Sequence, residues 1–208
     1  MATEKIIEIQ PISVIHAKVT IEGDGDLVLN KMNNPTVRAL TDARKDRAKK
    51  LEKINEWECI ITSMHWLHGT PTDFSEDGLR EALIHNAPCI SAFGLKKSLG
   101  QAVVRGGIDK YSAKFDAGVN IVATGGLIPI TFAEHFVDEK IMSPKRGSPV
   151  LARLNRFTGW KATFEIACVE TSYSLDSVTN IINLAGFGLG IGSGRSSGYG
   201  RYHVIGVE

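Results

Sequence analysis

A single α+β domain is the fold this sequence predicts, on three observations. Residues 13–23, "SVIHAKVTIEG", set Ile15, Ala17, Val19 and Ile21 against His16, Lys18 and Thr20, the two-residue period of a strand with one face buried. Residues 159–170, "GWKATFEIACVE", alternate in the same way, with Trp160, Ala162, Phe164, Ile166 and Cys168 on the apolar side. A helical repeat follows, in which Leu175, Val178, Ile181, Ile182 and Ala185 share one face. At 208 residues and 43% hydrophobic content the chain can bury one sizeable core.

The remaining elements follow from local chemistry. "GDGD" at 23–26 is a turn, because Asp and Gly satisfy turn geometry. Residues 35–58 form a charge-rich helical insertion, with Pro35 in a first turn and no internal glycine. Its apolar stripe is thin, which predicts an element that faces solvent or is ordered only by a partner. Residues 78–107 predict two short helices broken at Pro88, the second carrying Lys96 and Lys97. Residues 118–131 read as two short strands around Gly125 and Gly126. Ser174 is the N-cap of the helix that Gly186 ends, and Asp176 sits in its first turn, where the macrodipole favours an anion. "YHVIGV" at 202–207 is the last strand. The order strand, helix, glycine loop, strand is half of a ferredoxin-like βαββαβ unit.

Composition narrows the classes of function. Net charge is +1, so any basic surface must be local. No apolar run reaches the roughly 18 residues of a membrane span, and "MATEKIIEIQ" has no signal-peptide core. Three widely spaced cysteines, Cys59, Cys89 and Cys168, read as reduced thiols. A cytoplasmic protein is the expectation.

The glycine loop, "GFGLGIGSGRSSGYGRYHV", carries the functional argument. Neither the Walker spacing nor G-x-G-x-x-G occurs in it, and the element order is helix then strand. Glycine lets a backbone approach a ligand and aim successive N–H groups at it. Gly190, Gly192, Gly194 and Gly198, the hydroxyls of Ser196 and Ser197, and the guanidinium groups of Arg195 and Arg201 suit an extended polyanion. A second stretch agrees. From Lys140 to Lys161 the chain holds Lys145, Arg146, Arg153 and Arg156 but no Asp or Glu, and Phe157 lies among them as a stacking candidate. This predicts a one-sided basic groove, with the acids on the opposite face.

The glycine loop, placed after a helix and before the last strand, resembles that of the RAMP superfamily, which includes RNA-binding backbone subunits of CRISPR effector complexes. A second hallmark, a lysine motif ending in arginine, is similar to "CISAFGLKKSLGQAVVR" at 89–105. Lys96 or Lys97 matches its lysine, Ser98 or Gly100 its small residue, and Arg105 the late arginine. The likeness covers residues 12–30 and 80–206, and Lys-Lys-Ser replaces the tighter Ser-Leu-Lys-Gly of the family. It implies a ferredoxin-like (RRM-like) core within one elaborated domain, 1–208, in a phage-encoded or host relative. It also implies copies assembling side by side on single-stranded nucleic acid, RNA favoured. Some members cleave RNA with an aspartate after the first strand; Asp24 and Asp26 are the nearby candidates here.

No catalytic set emerges. His65, His68 and Cys59 lack a second ligand pair for zinc, and no G-x-S-x-G elbow is present. The expectation is a non-catalytic nucleic-acid binder that needs no cofactor. The competing expectations are a protein that sequesters a small signalling nucleotide and a self-assembling structural protein.

Overall fold

The computed structural model describes residues 11–45, 54–142 and 150–208. The fold is α+β, with mostly antiparallel sheets. The large sheet is built on β1 (Val14–Gly23), which is flanked by β9 (Lys161–Val169) and β10 (Tyr202–Val207). It continues from β9 through β6 (Leu127–Thr131) and β4 (Pro88–Ser91) to β3 (His65–Trp66), while β5 (Val119–Val122) also pairs with β9. The β1–β9 register runs unbroken from Val14 opposite Val169 to Glu22 opposite Lys161. A one-residue slip would turn every apolar side chain to the wrong face, so this alternation fixes the pairing.

One face of the sheet carries two helices, α4 (Ala92–Arg105) and α6 (Leu175–Gly188), which pack side by side. Leu95, Leu99, Ala102 and Val103 of α4, with Val178, Ile181, Ile182 and Ala185 of α6, join Val19, Ile21, Phe164 and Ile166 of the sheet in one core. The opposite face keeps His16 and Lys18 exposed. Ser91 caps α4 by accepting from the Gly94 N–H, and Ser174 caps α6 by accepting from Ser177. The α6 helix continues past Gly186 to Gly188, two residues further than the sequence predicts, because its C-terminal carbonyl is satisfied from outside: Arg201 donates to Phe187 O at 2.8 Å.

Several elements differ from expectation. Pro88 begins β4 rather than merely separating α3 (Glu76–His85) from α4; lacking an N–H, it stands at the first position of its strand. The described part of the 35–58 segment contributes α1 (Asn34–Lys45) and the start of α2 (Glu56–Thr62), with residues 46–53 outside the described residues. Its two helices are pinned together by Arg38, which makes a bidentate pair with Glu58 at 2.7 and 2.9 Å. The short α5 (Ala113–Gly118) leads into β5.

The largest difference lies at 134–158. The stretch expected as a basic groove is a hairpin, β7 (Glu134–Met142) with β8 (Val150–Thr158), which extends β2 (Leu27–Leu29) into a second, three-stranded sheet. Asn155 locks it to α2 from a fully buried position, donating to Ile60 O at 3.0 Å and to Ser63 Oγ at 2.9 Å.

Candidate functional site

The glycine loop is anchored along much of its length. Ile191 N donates to Gly200 O, Gly200 N to Asp26 O and Ser193 N to Val28 O, so the loop folds back onto itself and onto β2. Glycine is required where this happens. Gly192 has φ +74°, and a Cβ there would stand 2.5 Å from Val28 O. Gly190 and Gly200 are buried by this packing, while Gly192, Gly194, Arg195, Ser196, Ser197 and Gly198 are exposed. The amides of Gly192 and Gly194 have no acceptor among the described residues. Part of the loop is therefore framework, and the arc from Gly192 to Gly198 faces outward.

The two arginines of the loop divide in the same way. Arg201 is tied to the α6 C-terminus. Arg195 is exposed, and although its carbonyl accepts from Gly198 N, its guanidinium has no ion pair or hydrogen bond among the described residues.

Beneath the exposed arc lies a cavity of about 330 Å³. Lys97 from α4, Arg195, Gly192 and Ser193 from the loop, and Lys31 and His65 from the chain after β2 and from β3 all line it. No carboxylate does. Its floor is apolar, with Leu29, Met64, Ile90, Leu95 and Ile191 all buried. Ser91 and Gly94 bring the first turn of α4 to the wall, adding the positive end of a 14-residue helix. Burial lowers the pKa of Lys31, and burial plus the Lys31 charge lowers that of His65. Burial pushes the neighbouring Cys89 thiol up to about 11, so it stays protonated and unreactive at neutral pH.

A second cavity, of about 590 Å³, continues along α4 and shares Lys97 and Gln101 with the first. It is lined by Phe93, Lys96 and Arg105 among others, and by one carboxylate, Asp116, which accepts from Ser112. Lys96 is partly committed, donating to Asp116 O at 3.0 Å. Phe93 is 76% exposed at the start of α4.

The hairpin residues do not join this site. Phe157 is fully buried, edge-on to Phe132 at 4.9 Å, and so is not available to stack on a base. Arg153 pairs with Glu56 and Glu139, and Arg156 with Asp26 and Asp138. These arginines are thus not part of an acid-free groove: Glu139 and Asp138 oppose them from the strand next door, and Glu56, expected on the opposite face, pairs with Arg153. Lys145 and Arg146 lie outside the described residues. Asp26 is occupied by Arg156, while Asp24 meets His203 Nδ1 at 2.6 Å.

Among the described residues no group of three or more His, Cys, Asp or Glu side chains is arranged to hold a metal ion, and no helix is long and apolar enough to cross a membrane. No protein-family model and no curated protein matches the chain.

Lys31, His65 and Phe93 are the site residues that sequence reasoning missed. Lys31 sits in an unremarkable context and the sequence offers His65 only as a zinc ligand; only the chain path brings them under the loop. Phe93 had a signal: an aromatic one helical turn before Lys97 shares its face.

Proposed function

We propose that the protein is a non-catalytic binder of single-stranded nucleic acid, RNA by preference, whose strand runs along α4 beneath the glycine loop. The observation that carries this is the acid-free convergence of Lys31, Lys97 and Arg195 on one cavity that continues into a second one along the same helix. These three cations face the cavity with no carboxylate in its lining, and phosphates would supply the missing counter-charge. The length of the track favours a polymer over a compact anion. Phe93, exposed beside Lys96 and Lys97, takes the stacking role expected of Phe157. Arg105 extends the track at the last turn of α4.

The strand order supports reading the large sheet as a ferredoxin-like core. β1, α4, β6, β9, α6 and β10 would be its βαββαβ series, giving the order fourth, first, third, second, all antiparallel. Side-by-side assembly on one strand is part of the proposal, and the mass of complexes formed on strands of increasing length tests it.

The decisive experiment compares Arg195→Ala and Lys97→Ala with the wild type in fluorescence anisotropy against single-stranded RNA and DNA oligonucleotides. Each substitution should weaken binding across sequences while leaving the melting temperature unchanged. Wild-type affinity in the double variant would remove the site.

A further inference from the structure

The first cavity is more than a row of charges. Its floor of five buried apolar side chains offers nothing to a bare phosphate, so the cations alone do not account for it. Its volume of about 330 Å³ stands at the small end of ligand pockets, which span roughly 300–1,000 Å³, and suits one monomer unit. Two carboxamides, Asn30 and Gln101, also line it, and neither side chain has a hydrogen-bond partner among the described residues. A carboxamide donates and accepts at once, which is what the mixed edge of a nucleobase requires.

We infer that this cavity captures a single nucleotide of the bound strand, its base seated on the Leu29–Met64–Ile90–Leu95–Ile191 floor and its phosphate held by Lys31, Lys97 and Arg195. The inference rests on the nucleic-acid function proposed above. It adds a monomer site within the polymer track, with Asn30 and Gln101 as the residues that distinguish one base from another. Neighbouring nucleotides then continue past Phe93 and Arg105 along α4.

Gly94 makes the site testable without damaging the fold. It lines the cavity, its φ is not in the left-handed region, and a Cβ there would meet only Ser91, at an ordinary 3.6 Å. Gly94→Leu therefore fills the cavity while improving helix propensity. The full-length protein is titrated calorimetrically with the four nucleoside 5′-monophosphates, with ribose 5-phosphate and with inorganic phosphate. At least one monophosphate should bind about tenfold or more tightly than ribose 5-phosphate, because the base supplies the apolar contact and the bonds to the carboxamides. Gly94→Leu should weaken that binding by about tenfold or more at an unchanged or raised melting temperature. Gly94→Ala, too small to fill the space, should retain it. Monophosphates that bind no better than ribose 5-phosphate, or a Gly94→Leu variant that binds them normally, overturn nucleotide capture. If oligonucleotides still bind in that case, the polymer track stands without the monomer site. Monophosphate binding with no oligonucleotide binding keeps the capture and removes the track.

Discussion

Gly186 and Gly188 occupy the same last turn of α6, yet a methyl group at each meets a different surrounding. At Gly186 it would land on the carbonyl oxygen of Tyr202, where the helix lies against β10; at Gly188 nothing stands within 4 Å. Gly186→Ala should therefore destabilise the protein by about 1–3 kcal/mol or more, through forced displacement of backbone. Gly188→Ala should be neutral or stabilising by up to about 1 kcal/mol. Urea denaturation of the two variants makes the comparison, and equal midpoints would contradict this packing. Arg201 and Arg195 form a similar pair. Removing the Arg201 guanidinium uncaps Phe187 O and should lower stability by about 1 kcal/mol. Arg195→Ala should leave denaturation unchanged. The sequence treats all four residues alike, as glycine or arginine in a glycine-rich run. What separates them is a neighbour roughly 14 to 16 positions along the chain, which local pattern does not encode.

At the scale of elements, alternation was a sound guide wherever one face meets the core. β1, β9 and α6 stand where their apolar periods put them. The β7–β8 hairpin escaped because its charges were read along the chain instead of across it. Arg153 and Arg156 look unopposed within residues 140–161, but the register sets Glu139 opposite Arg153. Cross-strand partners of this kind are the unit of sheet stabilisation, and they are invisible until the hairpin is recognised. Asn155, one residue from Arg156, is the element's anchor. Asn155→Ala would remove its bonds to Ile60 O, to the Ser63 hydroxyl (which still donates to Ile60 O) and to His135, and should cost about 1–3 kcal/mol, measured by denaturation. Arg156→Ala should loosen the hairpin without changing oligonucleotide affinity; a marked loss of affinity would return this arm to the binding surface.

Two predictions belong to the molecule as a whole. Oligonucleotide affinity should fall with salt at a log–log slope of about −0.7 per phosphate neutralised, or roughly −2 to −3 for the track through Lys31, Lys97, Arg195 and Arg105. A flat response would exclude a phosphodiester track. Folding stability should depend on pH through His135. Burial lowers its pKa from 6.5, against a weaker opposing effect of its hydrogen bond to Asn155. The unfolded chain takes up that proton near pH 6.5, before the folded one does, so the stability contributed by the neutral ring is full above this pH. It is lost as pH falls from there through the lower folded-state value. His135→Gln should flatten the stability profile below neutrality, and an unchanged profile would assign the dependence elsewhere. Both effects depend on distant segments meeting, as does β1 itself, which lies next to the edge strand of the large sheet, between β9 and β10. A ribosome making this chain releases β1 long before either of those neighbours exists. Its two edges stay unpaired until β9 and then β10 have been made.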